Sequence, residues 1–371
     1  MNAKILSTYL LRTRALIFNI AVVATFSFFG HGSFIAQADE IKLKVGVISG
    51  LTGAAAKWSA FQNKGVELAV EDLKREGVDI DLVFEDSQTQ ATKVIGAYNK
   101  LRQLDRVDAL IANDFGLVVA PLLPHVERHN TPLLALCLPQ EMYCKSAPRN
   151  FVSMSSQVKE SAPAYDRFFE LHPEVKRVGL VAFDEPGWGQ AYLQIWRELA
   201  AKRGVQVVDT FVNNEWQPDF KTALTKMISK TPDAIFFAHE PEGLVKAARQ
   251  LGFSKPLVAA NNLLEMLAGS KRERAELEGV YVVDPEVSEE FRDKFFKRFN
   301  LEPLLEAYAG YEAVKTIAQA AKIDRTALSL SMRRVKYRGI AGEIDFTKAS
   351  CAGNQARWAL FKFDRGRRVR Q

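Results

Sequence analysis

Cysteine and histidine are scarce in this chain, with three and five copies among 371 residues. His125, His129, His172 and His239 are scattered, and no four-ligand set can be assembled around the cysteines, so no structural zinc site is expected. The signatures of nucleotide binding and serine hydrolysis are missing as well. Gly50 and Gly53 follow the first apolar run beyond residue 40, yet neither G-x-G-x-x-G nor G-K-[ST] is completed there, and no G-x-S-x-G turn exists. No cofactor is expected, and no acid/base pair is placed by a motif, so an exported enzyme is the weakest of the functional classes. Charge of one sign is not in large excess either: 50 Lys and Arg face 44 Asp and Glu, a net +6. Lys4, Arg12 and Arg14 supply three of those charges, leaving +3 for the rest. The basic clusters at 271–274 and 365–370 lack the interleaved aromatics that stack on bases, so nucleic acid is not an expected partner.

What is present is ordinary globular material. With 47% hydrophobic and 25% charged residues, the chain is neither disordered, collagenous nor a multispan membrane protein, and it can form two lobes of roughly 150 residues. Its longest apolar run lies in the amino-terminal segment. After the basic stretch 4–14, the residues from Ala15 to Phe29 are interrupted only by Asn19, Thr25 and Ser27, and Ala36-Gln37-Ala38 has the small-x-small form a signal peptidase reads. A membrane anchor is the competing reading, but a spanning helix needs about 20 apolar residues and this run stops at Gly30-His31-Gly32. Residues 1–38 are therefore expected to be a signal peptide cleaved after Ala38, giving an exported, periplasmic product. Asp39 stands where a lipid-anchored product would need Cys.

Export places the cysteines in an oxidising compartment. Cys137 and Cys144, with six residues between them including Pro139, are spaced for a small disulfide loop, which leaves Cys351 as a buried free thiol.

Beyond residue 40, apolar β-rich runs alternate with amphipathic stretches. The runs are Leu43 to Ile48, Ile80 to Phe84, Ala109 to Ala112, Pro132 to Cys137, Val178 to Phe183, Val205 to Phe211, Ala234 to Ala238, Pro256 to Ala259 and Val280 to Val283. Runs without polar alternation suit strands buried on both faces, as in parallel sheets. Helical spacing falls between them, at Phe61 to Glu76, Ala91 to Asp105, Ala162 to His172, Gln190 to Arg203, Phe220 to Lys230 and Leu244 to Leu251. Repeated βα units with right-handed crossovers build doubly wound α/β domains, and the pattern restarts near Lys176, so two lobes follow. In such sheets ligands bind beyond the carboxyl ends of the strands, which directs attention to the residues just after each run.

Several segments resemble one family over nearly the whole chain and in the right order. They are "IKLKVGVISGLTGAAAKWSAFQNKGVELAVEDL", "VGLVAFDEPGWGQAYLQIWRELAAKRGVQVV", "DFKTALTKMISKTPDAIFFAHEPEGLVKAARQLGF", "AYAGYEAVKTIAQAAK" and "GIAGEIDFTKASCAGNQARWALFKFDRGRRV". These are similar to periplasmic solute-binding proteins of the branched-chain amino acid, leucine-binding type that serve ABC transporters. The resemblance implies a type I periplasmic-binding fold, α/β, with two doubly wound parallel-sheet lobes joined by a hinge the chain crosses three times. It implies lobe 1 at 39–157 plus 285–339 and lobe 2 at 158–284 plus 340–371. It also implies a monomer that takes a small molecule into the inter-lobe cleft and hands it to a membrane ABC permease, without catalysis. A sensor subunit that presents its closed form to a signalling partner would have the same fold.

The resemblance places aromatic cleft walls at Trp58 and Trp188. In amino-acid binders of this kind, hydroxyls after the third and fourth strands hold the ligand carboxylate, but here those loops offer Asp114, Phe115 and Leu138. The glutamate that usually meets the ligand ammonium falls near Asn261, with Glu240 in the neighbouring loop. A carboxylate buried beside Asp114 without donors costs several kcal/mol, so a plain aliphatic amino acid is disfavoured. Asp114, Asp184 and Glu240 beside the aromatics suit an amine, and a ring stacked between the tryptophans suits an aromatic ligand. The expected contacts are thus Trp58, Asp114, Phe115, Leu138, Asp184, Trp188, Glu240 and Asn261.

Overall fold

A computed structural model describes residues 41–136, 144, 147–261, 263, 266, 274–348 and 351–371. The first sheet follows the apolar runs of the amino-terminal half. β1 (Ile41–Ser49), β2 (Val78–Asp86), β3 (Ala109–Asn113), β4 (Leu133–Ala135) and β5 (Phe151–Ser153) lie side by side in the order β2-β1-β3-β4-β5, all parallel. The crossovers carry α1 (Ala56–Arg75) and α2 (Ala91–Lys100).

Each strand feeds both faces because successive side chains point to opposite sides. Val47 and Ile111 enter the core under α1, while Ile48, Leu110 and Ala112 enter the one under α2 with Val94 and Tyr98. This double burial is why the strands read as continuous apolar runs rather than alternating ones.

The second sheet repeats the scheme. α3 (Ala162–Leu171) precedes β6 (Arg177–Phe183), followed by α4 (Gly189–Arg203), β7 (Gln206–Asn213), α5 (Phe220–Ser229), β8 (Ala234–Ala238), α6 (Pro241–Gln250), β9 (Leu257–Ala259) and β10 (Tyr281–Pro285). After β10 come α7 (Glu289–Phe299) and α8 (Leu305–Asp324), then the strands β11 (Lys336–Arg338), β12 (Gly342–Asp345), β13 (Asn354–Ala356), β14 (Trp358–Asp364) and β15 (Arg367–Arg370). The order is β15-β14-β10-β9-β8-β6-β7, with β14 and β15 antiparallel at one edge and the remaining neighbours parallel. β11, β12 and β13 form a small antiparallel sheet of their own.

The chain therefore passes from the first sheet to the second after β5 and leaves the second after β10. It packs α7 and α8 on the first sheet's side, where Lys294 reaches Asp72 of α1 at 2.7 Å and Arg298 reaches Glu71 at 2.9 Å, and then returns at β14. α8 lies tightly on α1. A side chain at Gly65 would meet the Ala307 carbonyl, and one at Gly310 would come within 2.2 Å of the Gln62 carbonyl, so both helices use glycine to let the backbones touch. Residues 41–371 form one compact unit. None of the described helices is long and apolar enough to cross a membrane.

The cysteine pairing differs from the expectation. Cys144 is bonded to Cys351, 207 residues away, with 5.1 Å between their Cα atoms, so the 137–144 loop disulfide is not the bridge. Short spacing favours a local pair only when nothing closer is folded alongside. Here the segment before β13 runs beside β5, with Ser153 bridged to Ala352 and the Ser153 N–H donating to the Cys351 carbonyl. Cys351 is fully buried but is not a free thiol, and Cys137 lies outside the described residues.

Candidate functional site

The carboxyl end of β1 runs into the loop 50–55, which the loop after β2 fastens. The Thr52 hydroxyl donates to Asp86 at 2.6 Å and the Ala55 N–H donates to the Thr89 hydroxyl at 3.0 Å. Gly53 sits at φ +89° against the Gln88 carbonyl, a conformation and a clearance that favour glycine. This fixes the start of α1 and sets Trp58 on its first turn. Beyond β3, Asp114 is buried and Phe115 is partly exposed, its ring 5.7 Å from that of Trp58. The Asp114 carboxylate accepts from the Ser87 hydroxyl and from the Phe115 N–H. Burial pushes this carboxyl above its ordinary range, and these two donors pull it part of the way back.

In the second sheet, Trp188 immediately precedes α4, and its indole N–H donates to Asn261 Oδ1 at 3.1 Å, an oxygen that also accepts from the Tyr192 hydroxyl at 3.2 Å. His239 follows β8 and is fully buried. Its Nδ1 accepts the Glu240 N–H at 2.7 Å, so the remaining proton is on Nε2 and goes to Asn213 Oδ1 at 2.8 Å. Burial takes this imidazole down to about 4. Glu240 caps α6 by accepting the N–H groups of Glu242 and Gly243 at 2.9 and 2.7 Å. Its carboxyl is raised by burial, against the pull of those donors and of the nearby Lys57 charge. Asp184 is exposed and accepts from the Gln190 side chain at 2.7 Å.

One residue joins these two groups. Trp216, in the loop after β7, packs edge-on against Trp58 at 5.9 Å and Phe183 at 5.4 Å, is stacked on His239 at 5.8 Å, and lies 6.2 Å from Trp188. A row of half-buried indoles thus runs from the strand ends of the first sheet to those of the second.

Of the eight residues named from sequence, the structure brings together Trp58 with Phe115 and Trp188 with Asn261, and Trp216 links the pairs. Asp114 and Glu240 are buried at the same strand ends, but each carboxylate already has donors from the protein itself, and Asp184 is at the surface. Leu138 lies outside the described residues. Trp216 is not among the eight, although it stands in the loop after the Val205 to Phe211 run and the rule that directs attention to strand ends applies to it equally.

Among the described residues no group of three or more His, Cys, Asp or Glu is placed to hold a metal ion. Two α/β sheets whose strand ends carry facing aromatic side chains, linked by crossings that return the chain from one to the other, define a class of protein that encloses a ligand between two halves. The chain belongs to the periplasmic binding protein family, whose family model matches residues 42–367. No curated protein matches the sequence.

Solved structures share the fold at low identity. LivJ of Streptococcus pneumoniae, a branched-chain amino acid transporter substrate-binding protein in complex with isoleucine, aligns with a TM-score of 0.73 at 20% identity, over 89% of this chain and 100% of that one. A solute-binding protein of an ABC transporter from R. palustris in complex with benzoate gives 0.71 at 17%, over 89% and 95%. One from Rhodopseudomonas palustris BisB5 in complex with 3,4-dihydroxybenzoic acid gives 0.74 at 17%, over 89% and 96%.

Proposed function

We propose that this protein is exported, binds a small aromatic solute between its two halves, and delivers it to a membrane ABC permease without altering it. The observation that carries this reading is the indole row Trp58, Trp216 and Trp188, which offers ring faces and edges from both sheets to one ligand. Solved structures of the same fold hold aromatic acids, which agrees with such a ligand. Asp114 and Glu240 already accept hydrogen bonds from the protein, and in this reading the ring, rather than an ammonium group, is the recognised feature.

The halves are 39–157 with 286–356, and 158–285 with 358–371. In this reading the third crossing moves from 339–340, where the resemblance put it, to residue 357; the Cys144–Cys351 bond, the bridge between Ser153 and Ala352 and the position of β14 in the second sheet support the change. A ligand that touches both halves shifts the open and closed forms by its differential affinity, and about 5.5 kcal/mol moves such an equilibrium from 1:99 to 99:1. Each favourable ring contact supplies about 1 kcal/mol of this beyond its buried area.

Calorimetric titration with benzoate, tyramine and leucine tests the reading. Binding of an aromatic compound with quenching of tryptophan emission supports it, and binding of leucine alone overturns it. Sequencing of the exported protein is expected to begin at Asp39.

A further inference from the structure

The second sheet has a second polar feature at its other end. At the amino ends of β9 and β10, away from the strand ends that carry Trp188, His239 and Asn261, there is a cavity of about 490 Å³. Its walls come from the end of α6, the turn 252–256, the approach to β10 and Lys362 of β14, which stands opposite Tyr281 in the sheet.

The charges in this cavity do not balance. Arg249 spends one hydrogen from each terminal nitrogen on main-chain carbonyls of opposite walls, Nη1 on Phe253 at 3.0 Å and Nη2 on Glu278 at 3.1 Å. No carboxylate of the described residues pairs with it, and a guanidinium has five N–H donors, so capacity remains. Burial without a counter-charge lowers its pKa, a sign that the cation is partly stripped of water and not repaid by an anion. The Lys362 ammonium lies 5.5 Å from the centre of the Tyr281 ring and has no carboxylate partner among the described residues either.

Of the other charged groups of the lining, Lys255 pairs with Asp233 at 2.9 Å, and Glu278, one oxygen of which accepts the Arg365 main-chain N–H at 2.8 Å, keeps its negative charge, so Arg249 and Lys362 together outnumber it. His172 is held between Glu174 at 2.9 Å and the Tyr281 hydroxyl at 2.8 Å, which fixes the aromatic wall.

We propose that this cavity is a second ligand site, independent of the cleft, that binds a small anion through a carboxylate or phosphate group held between Arg249 and Lys362. The two cations reach the anion from different elements, α6 and β14, and the Tyr281 ring provides an apolar wall for whatever the anionic group is attached to. The chemistry required is that of a carboxylate or phosphate with its charge at one end.

Titration of the full mature chain with inorganic phosphate and with citrate, at constant ionic strength set by sodium chloride, tests this. Both probes are followed by calorimetry and by the amide resonances of residues 252–255. The expected result is saturable binding of at least one probe, about tenfold weaker in Lys362→Gln and unchanged in Trp216→Ala. Arg249→Gln is expected to lose binding as well; because it also gives up two carbonyl bonds, the lysine variant is the deciding one. Whichever probe binds identifies the group as phosphate or carboxylate. The absence of saturable binding by either probe, equal affinity in Lys362→Gln, or loss of binding in Trp216→Ala would each overturn the proposal. Loss of binding in Trp216→Ala would place the anion at the indole row instead; the other outcomes leave aromatic binding in the cleft untouched, since it is read with a different ligand.

Discussion

Trp216 meets Trp58 edge-on, with ring centroids 5.9 Å apart at an interplanar angle of 82°. The two residues are separated in sequence by β2 to β7, four strands of the first sheet and two of the second, and they come together at the strand ends of two different sheets. Trp216 also stacks on His239, so its position depends on the buried imidazole beneath it.

Removing the ring of Trp216 should therefore damage binding more than folding. Trp216→Ala is expected to weaken the aromatic ligand about tenfold, corresponding to one or two ring contacts, while lowering the melting temperature only slightly because the residue is half-buried. Trp196→Ala is the control. That indole is 1% exposed in the core under α4, and its loss is expected to cost about 3–5 kcal/mol of stability. Titration and thermal melting on the two variants check the contrast; a Trp216→Ala protein with unchanged affinity removes this residue from the site.

The imidazole of His239 gives the stability a pH dependence of definite sign. Its pKa falls from 6.5 when unfolded to about 4 when folded, so between these values the unfolded chain binds the extra proton. Stability from this group is complete above pH 6.5 and declines as the pH drops toward 4, by about 3 kcal/mol at most. Urea unfolding across that range should show the decline, and His239→Gln, which cannot titrate, should flatten it.

The 144–351 bridge closes a loop of 207 residues and ties the segment before β13 to the region of β5. Cys351→Ser is expected to lower stability by about 3–5 kcal/mol in urea under oxidising conditions, and to match the wild type once reductant is added. A non-reducing peptide map should link Cys144 to Cys351 and show Cys137 open to alkylation. A linked 137–144 peptide would contradict the fold described here.

Glycine has opposite meanings at two helical positions. Gly310→Ala drives a methyl group against the Gln62 carbonyl and is expected to cost about 2 kcal/mol as α8 is pushed off α1. Gly96→Ala on α2 meets nothing within 4 Å and should stabilise the protein by about 0.5–1 kcal/mol through helix propensity and a less flexible unfolded chain. Parallel urea titrations distinguish the two.

The amino-acid sequence by itself determined the local elements. All nine apolar runs became strands, and all six amphipathic stretches contain helices, because burial on both faces of a parallel strand and on one face of a helix must be written in consecutive residues. Six strands, β5 and β11 to β15, are not among these runs; β5, β11 and β13 are only three residues long, and β12 and β15 carry too many charged residues to read as apolar. The rule that ligands collect at strand ends directs attention to the loops that hold Trp58, Phe115, Trp188 and Asn261, and the family resemblance singles out the two tryptophans and Asn261 within them. Only the tertiary structure decided which of these side chains meet, that Trp216 joins them, that Glu240 is committed to capping α6, and that Cys144 pairs with the distant Cys351. Such contacts join residues tens to hundreds of positions apart, and nothing in the local period of either partner records the other. They are fixed by how the sheets are ordered and where the chain crosses between them, which is a property of the whole chain packed at once.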